Sequence, residues 1–366
     1  MSGVIEIVGY EKGWNFALGA VRLNRRNETF RKGRGLVFVL VLGYRLLFAF
    51  GFCLAPRGEM VLAEPLAPAG SLSSPAALLP SPPAHDDAGR NLDSTDVLLR
   101  LFPVHRLKVA PGPYDWLAVH SEPGQDFSDY TASSPVLPDA LRHVIYIVLI
   151  GDFDAERTRI LEETAEFIRA YYTLPVKFLP AIGNDAVPAE ARRVHPQTGD
   201  PQILTTYVIE SLLKPLKPDD AFCLIGFASQ DLWPGEGWNF VFGQASLPDR
   251  VGVWSIYRNG DPQESLEARK VCLLRTIKTG VHEIGHMFSM HHCIFFECNM
   301  NGSNHRMESD ARPVWLCPVC LRKLMWGLNQ NPVRWFEALM EVCGRLGLKE
   351  EEAFYSRSIR ALVEPH

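Results

Sequence analysis

The chain has no marked excess of either charge. Of its 366 residues, 37 are Lys or Arg and 42 are Asp or Glu, a formal net charge of −5. No stripe of Lys and Arg runs through its second half, so nothing recommends a nucleic-acid partner. It lacks an internal repeat, so no repeat architecture is expected. Long apolar runs are also scarce: only residues 36–54 are apolar enough to span a bilayer, and Arg45 and two glycines interrupt them. Cysteine is limited to eight residues. Four of these fall in short paired spacings, and Cys53, Cys223, Cys272 and Cys343 are scattered in apolar contexts as small core residues. That usage fits a reducing compartment better than a disulfide framework.

What is present divides into three parts. Residues 1–96 hold a basic and apolar leader, with six Lys or Arg between 22 and 34, followed by a stretch rich in Pro, Ala and Ser (LPSPPA at 79–84) that reads as a disordered linker. The leader before the apolar run is too long for a signal peptide. As an anchor, the basic flank would hold the N-terminus in the cytoplasm and send the rest across. A start at Met60 would delete the run altogether. The cysteine argument favours a cytoplasmic chain, with membrane attachment or export only through 36–54. Residues 97–140 form an extension with short elements around 97–102 and 114–119, expected to pack on the catalytic domain at 141–366.

Past residue 141 a regular alternation begins. Residues 143–150 (HVIYIVLI) are a continuous apolar run, as in a strand buried on both faces. Residues 155–172 have helical spacing, 174–182 read as a strand, and 203–213 as a helix that Pro215 ends. Residues 221–228 (AFCLIGFA), 238–247 and 251–257 predict three more strands, the last two joined by a Pro-Asp turn. Two amphipathic helices follow near the end, at 332–346 and 350–362, with Trp335, Phe336, Leu339 and Val342 on one face. The fold class is α/β: a mixed, mostly parallel sheet packed with helices.

The chemistry concentrates between residues 281 and 320. His282-Glu283-x-x-His286 places two imidazoles four apart, on one face of a helix and within reach of one ion. Apolar residues at helical spacing over 272–281 put this motif late in a long helix. Glu283 can lie beside the metal without binding it and move protons there. Two helical ligands leave the ion short, and His292 supplies a third, with a fourth position open for water. His291 is the rival third ligand. An ordinary helix with solvent-facing histidines at its end is the competing account. Cys293-x4-Cys298 and Cys317-x2-Cys320 suit a tetrahedral four-thiolate site, closed to substrate and therefore structural. Disulfides or free buried thiols are the alternative.

Histidine ligands running directly into a cysteine site resemble the archaemetzincin family of metallopeptidases. That family's pattern runs HExxHxxGxxHC, then x4-Cys-x-Met, a spacer and CxxC. His282, Glu283, His286, His292, Cys293, Cys298, Met300, Cys317 and Cys320 match it in order. The flanking runs GSNH (302–305), ESD (308–310), LCPVCLRKL (316–324), DAFC (220–223) and WNFVFGQAS (238–246) also resemble it, so the likeness spans roughly residues 140–345. The resemblance implies a metzincin-like zincin with a long active-site helix and a smaller C-terminal subdomain around a structural zinc. It implies two zinc ions, one catalytic on the three histidines and one structural on the four cysteines. Glu283 would be the general base and Met300 the methionine beneath the catalytic ion. The expected partner is a peptide or protein substrate, and a monomer is expected. In the wider clan, substrate lies along an edge strand above the zinc. Residues 243–246 would then run past the cleft, an ordinary core strand being the alternative.

One departure stands out. Where the family has Gly after the second His, this chain has Ser289. That Gly turns the chain with positive φ, and a residue with a side chain there costs on the order of 1–2 kcal/mol. Two outcomes follow: a weaker catalytic site, or His291 in place of His292. His305 is read as a structural loop residue, with an approach to the active site as the alternative. Two functions therefore compete, a zinc metallopeptidase and a zinc-stabilised protein that holds peptides without turnover.

Overall fold

The computed structural model describes residues 5–10 and 94–364. The basic stretch, the apolar run at 36–54, Cys53 and the Pro-rich stretch at 79–84 lie outside the described residues. Among the described residues, no helix is long and apolar enough to cross a membrane.

One sheet organises the described residues. Its strands are β1 (Ile5–Tyr10), β2 (Val144–Ile150), β3 (Val176–Phe178), β4 (Arg192–Val194), β5 (Pro201–Leu204), β6 (Ala221–Ala228), β7 (Asp231–Trp233), β8 (Val241–Ser246) and β9 (Val251–Ser255), in the order β3-β2-β6-β9-β8-β7-β5-β4, with β1 on β8. β3, β2, β6 and β9 run parallel, and β8 reverses against β9. The apolar runs of β2 and β6 follow from cover on both faces. Ile145, Ile147, Ile225 and Phe227 join one core, and Val144, Tyr146, Val148 and Leu224 join another on the opposite side.

The helices are α1 (Ser94–Leu101), α2 (Trp116–Val119), α3 (Phe127–Ala132), α4 (Ala155–Tyr172), α5 (Thr205–Tyr207), α6 (Lys214–Leu216), α7 (Leu266–Met287), α8 (Arg306–Ala311), α9 (Pro318–Leu328), α10 (Pro332–Leu346) and α11 (Lys349–Val363). α4 and α7 pack together beneath the first core, α10 lies on α4, and α11 on α10. Gly280 permits the close approach of α7 to α4, since a Cβ there would lie 3.3 Å from Ile168 Cδ1. Ser265 caps α7 by accepting the Ala268 N–H at 3.0 Å.

The structure departs from the expected elements in places. The helix expected over 203–213 yields its start to β5, and a π-helical stretch (Val208–Leu213) leads into α6, which contains Pro215. The widened turn accommodates a residue that has no N–H to give. β3 is shorter than 174–182, although Ile182 still bridges to Ile150. The strand expected from 238 begins at Val241. β4, β5 and β7 were not foreseen, because three- and four-residue strands carry too little periodicity to read. β8 is flanked on both sides over 243–246, by β9 and antiparallel by β1.

Candidate functional site

α7 carries His282, Glu283 and His286 in its last turns, all buried. His282 and His286 sit one turn apart with their Nε2 atoms 2.9 Å from each other. The His292 ring stacks on His282 at 5.3 Å and meets His286 edge-on at 4.9 Å, so all three rings face one point. On its other side, each ring has an oxygen. His282 Nδ1 lies 2.7 Å from the Asn299 carbonyl, His286 Nδ1 2.7 Å from the Met290 carbonyl, and His292 Nδ1 2.8 Å from Glu122 Oε1. A carbonyl or carboxylate oxygen only accepts, so Nδ1 of His286 and of His292 carries the proton and their Nε2 atoms present lone pairs, whereas His282 Nδ1 also faces the Arg312 guanidinium, which only donates. Burial first, then the Arg312 cation, holds the His282 pKa well below the ordinary imidazole value. Lone pairs pointed at one another in a buried space are favourable only around a cation, so this donor set fits a metal ion. Glu283 Oε1 lies 3.8 Å from His282 Nε2.

The turn after α7 decides which histidine joins. Ser289 adopts φ +63°, the left-handed conformation expected of a glycine there. The Ser289 N–H donates to the His286 carbonyl at 2.8 Å and the Met290 N–H to the Gly285 carbonyl at 3.2 Å, which closes the helix end. His292 then reaches the other two rings, while His291 is exposed. The extension before the sheet holds this turn. Gln125 Nε2 donates to the Ser289 carbonyl at 3.2 Å, and its Oε1 accepts the His291 N–H at 3.1 Å. The Tyr130 hydroxyl donates to the Phe288 carbonyl at 2.9 Å, and buried Lys323 donates to Gln125.

The four cysteines meet in a second cluster. Cys293, Cys298, Cys317 and Cys320 are buried, form no disulfide, and lie close enough together to share one ion. Cys293 and Cys317 Sγ are 3.6 Å apart. Backbone N–H groups point at the sulfurs: Cys317 and Met300 donate to Cys298 at 3.2 and 3.4 Å, and Cys320 to Cys317 at 3.5 Å. Such donors favour thiolates. Hydrogen bonds from Cys298, Cys317 and Cys320 pull Cys293 well down, whereas burial pushes Cys298 and Cys317 well up. Four crowded sulfurs cannot all carry charge unless a cation shares it.

Met300 is buried against α7. A Cβ at Gly285 would lie 2.5 Å from its sulfur, so this glycine makes room for the methionine beside the last turns of α7. His305 does not join them. Its Nδ1 accepts the Glu308 N–H at the start of α8, and its Nε2 lies 3.0 Å from Asp115. Arg312, missed in the sequence, places Nη1 2.8 Å from His282 Nδ1 and 3.0 Å from the Asn301 carbonyl.

This arrangement can now be set beside known proteins. Peptidase family M54 matches residues 151–326. Archaemetzincin-2 of Rattus norvegicus is 37% identical over 270 residues, covering 64% of this chain and 74% of that protein. This chain belongs to the archaemetzincins. It is a metallopeptidase, a hydrolase whose substrates are peptides. Archaemetzincin-1 of Homo sapiens is 29% identical over 258 residues, covering 62% of this chain and 51% of that protein. A crystal structure of archaemetzincin from Methanopyrus kandleri is 26% identical and covers 53% of this chain and 99% of its own, with a TM-score of 0.42.

Trp116, Glu122, Gln125 and Tyr130 precede the part of this archaemetzincin that the M54 family matches. They reach the site across more than 150 positions of sequence, and no spacing rule could have found them. The only local hint was the Pro123-Gly124 pair, whose Gly124 takes φ +76°.

Proposed function

We propose that this archaemetzincin is a zinc-dependent peptidase whose catalytic ion sits on His282, His286 and His292. The convergence of three imidazoles, each with Nδ1 on an oxygen, carries this reading. When bound, zinc supplies a Lewis acid beside the scissile carbonyl and the attacking water. Glu283 is the general base: it stands one residue from His282 on the same helix, takes a proton from that water and hands it to the leaving amine. Cys293, Cys298, Cys317 and Cys320 hold a second, structural zinc that ties the loop after α7 to the start of α9. Met300 packs beneath the catalytic ion.

The test joins metal content to turnover in the full chain. Two zinc ions per wild-type chain, and loss of peptide hydrolysis in Glu283→Ala with both ions kept, are expected. The loss should be about 10²–10⁴-fold, the usual worth of a positioned acid–base group. One ion per chain, on the cysteines alone, would leave a protein that holds peptides without cleaving them. Undiminished hydrolysis in Glu283→Ala would remove Glu283 as the base.

A further inference from the structure

His292 differs from the other two histidines in its support. His282 and His286 stand on α7, and their Nδ1 atoms meet backbone carbonyls within the same local fold. His292 stands beyond the helix, after a turn that contains the left-handed Ser289. Its Nδ1 meets a side chain from 170 positions earlier, Glu122, at 2.8 Å. The same Glu122 oxygen accepts the Trp116 indole N–H at 2.8 Å, and the Trp116 ring abuts the His292 ring edge-on at 5.0 Å. Trp116 is itself fixed. Its backbone N–H donates to both Glu308 oxygens at 3.0 Å, and its ring lies over Gly302, where a Cβ would collide with it.

We propose that Glu122, braced by Trp116, is the positioning residue for the third zinc ligand, so that the extension before the sheet completes the active site. This rests on the reading that His282, His286 and His292 hold the catalytic zinc. A carboxylate on Nδ1 does two things to a ligating imidazole: it fixes the tautomer and ring angle, and it raises the basicity of the opposite nitrogen. It also places a negative charge close to the cation. A backbone carbonyl offers the first effect and less of the second. Glu122 thus gives the least constrained ligand the strongest partner. Because the extension supplies it, a catalytic domain cut at residue 141 would keep all three histidines and lose this support.

The experiment measures zinc retention in the full chain against graded chelator, with near-UV circular dichroism as the check on fold. Loss of an outer partner usually weakens metal 10–100-fold. Glu122→Ala is expected to weaken one zinc by about that factor while the second zinc and the dichroism stay unchanged. Glu122→Gln keeps an acceptor without the charge, so it should fall between wild type and Glu122→Ala. Cobalt substituted for the weaker zinc should show an altered visible spectrum in both variants. Wild-type retention of both ions in Glu122→Ala overturns the inference and leaves the catalytic reading standing. Equal weakening of both ions with changed dichroism also overturns it, because Glu122 then supports the fold alone. A wild-type chain with one zinc overturns the catalytic reading and this inference together.

Discussion

Ser289 Oγ accepts the Val136 N–H at 3.0 Å while Ser289 itself holds φ +63°. The side chain that strains this turn also ties it to the extension. Ser289→Gly relieves the strain and gives up the hydrogen bond, terms of about 1 kcal/mol each. Its stability should therefore lie within about 1 kcal/mol of wild type. Ser289→Ala keeps the strain and loses the bond, so it should be less stable than Ser289→Gly. Urea unfolding of both variants checks the order, and the reverse order would remove the turn's strain from the account.

Gly285 and Met300 are a matched pair. Gly285→Ala forces a methyl into the methionine sulfur and should cost about 1–3 kcal/mol, as overpacking does. Met300→Leu conserves volume and should cost under about 1.5 kcal/mol. Met300→Ala opens a cavity and should cost about 2–5 kcal/mol. Thermal unfolding of the three variants ranks them. Loosened zinc in Gly285→Ala, with Met300→Leu near wild type, is expected.

Cys317→Ser tests the four-sulfur site. Cys317 caps α9, accepting the Cys320 N–H, and lies 3.6 Å from Cys293. Its loss should remove one zinc per chain and lower the unfolding midpoint sharply, since structural zinc is part of the folding free energy. Two zincs retained with an unchanged midpoint would refute a structural ion there.

His105 sets a pH dependence. Its ring lies between Phe296 and Phe354, both its nitrogens are buried, and burial lowers its pKa from 6.5 to about 4. The unfolded chain binds a proton below pH 6.5 and the folded chain only below about 4. Stability from this residue is therefore present above 6.5, is lost as pH falls towards 4, and levels off below. The drop is of order 3 kcal/mol. His105→Phe should unfold with a shallower pH slope between 7 and 4.5 than wild type, read as the difference between urea curves. Parallel slopes would place the titration elsewhere.

Several features could be read before any coordinates. The strands at 143–150 and 221–228 announced themselves because burial on both faces demands unbroken apolar runs. The helix at 332–346 was recovered to its ends, since Asn331 caps it and Gly347 stops it. The short strands β4, β5 and β7 were not legible, and neither was the π-helical stretch before Pro215. Their shape depends on neighbours in space.

The sequence by itself determined the donor set. Two histidines a helical turn apart, a glutamate between them and two cysteine pairs are local spacings, and local spacing survives in one dimension. Tertiary structure decided how those donors are aimed. It chose His292 over His291 by turning the chain at Ser289, and it brought Glu122, Gln125, Tyr130 and Val136 onto that turn from the extension before the sheet. Those contacts join residues more than 150 positions apart, and only the packing of the extension against α9 and the end of α7 brings them together.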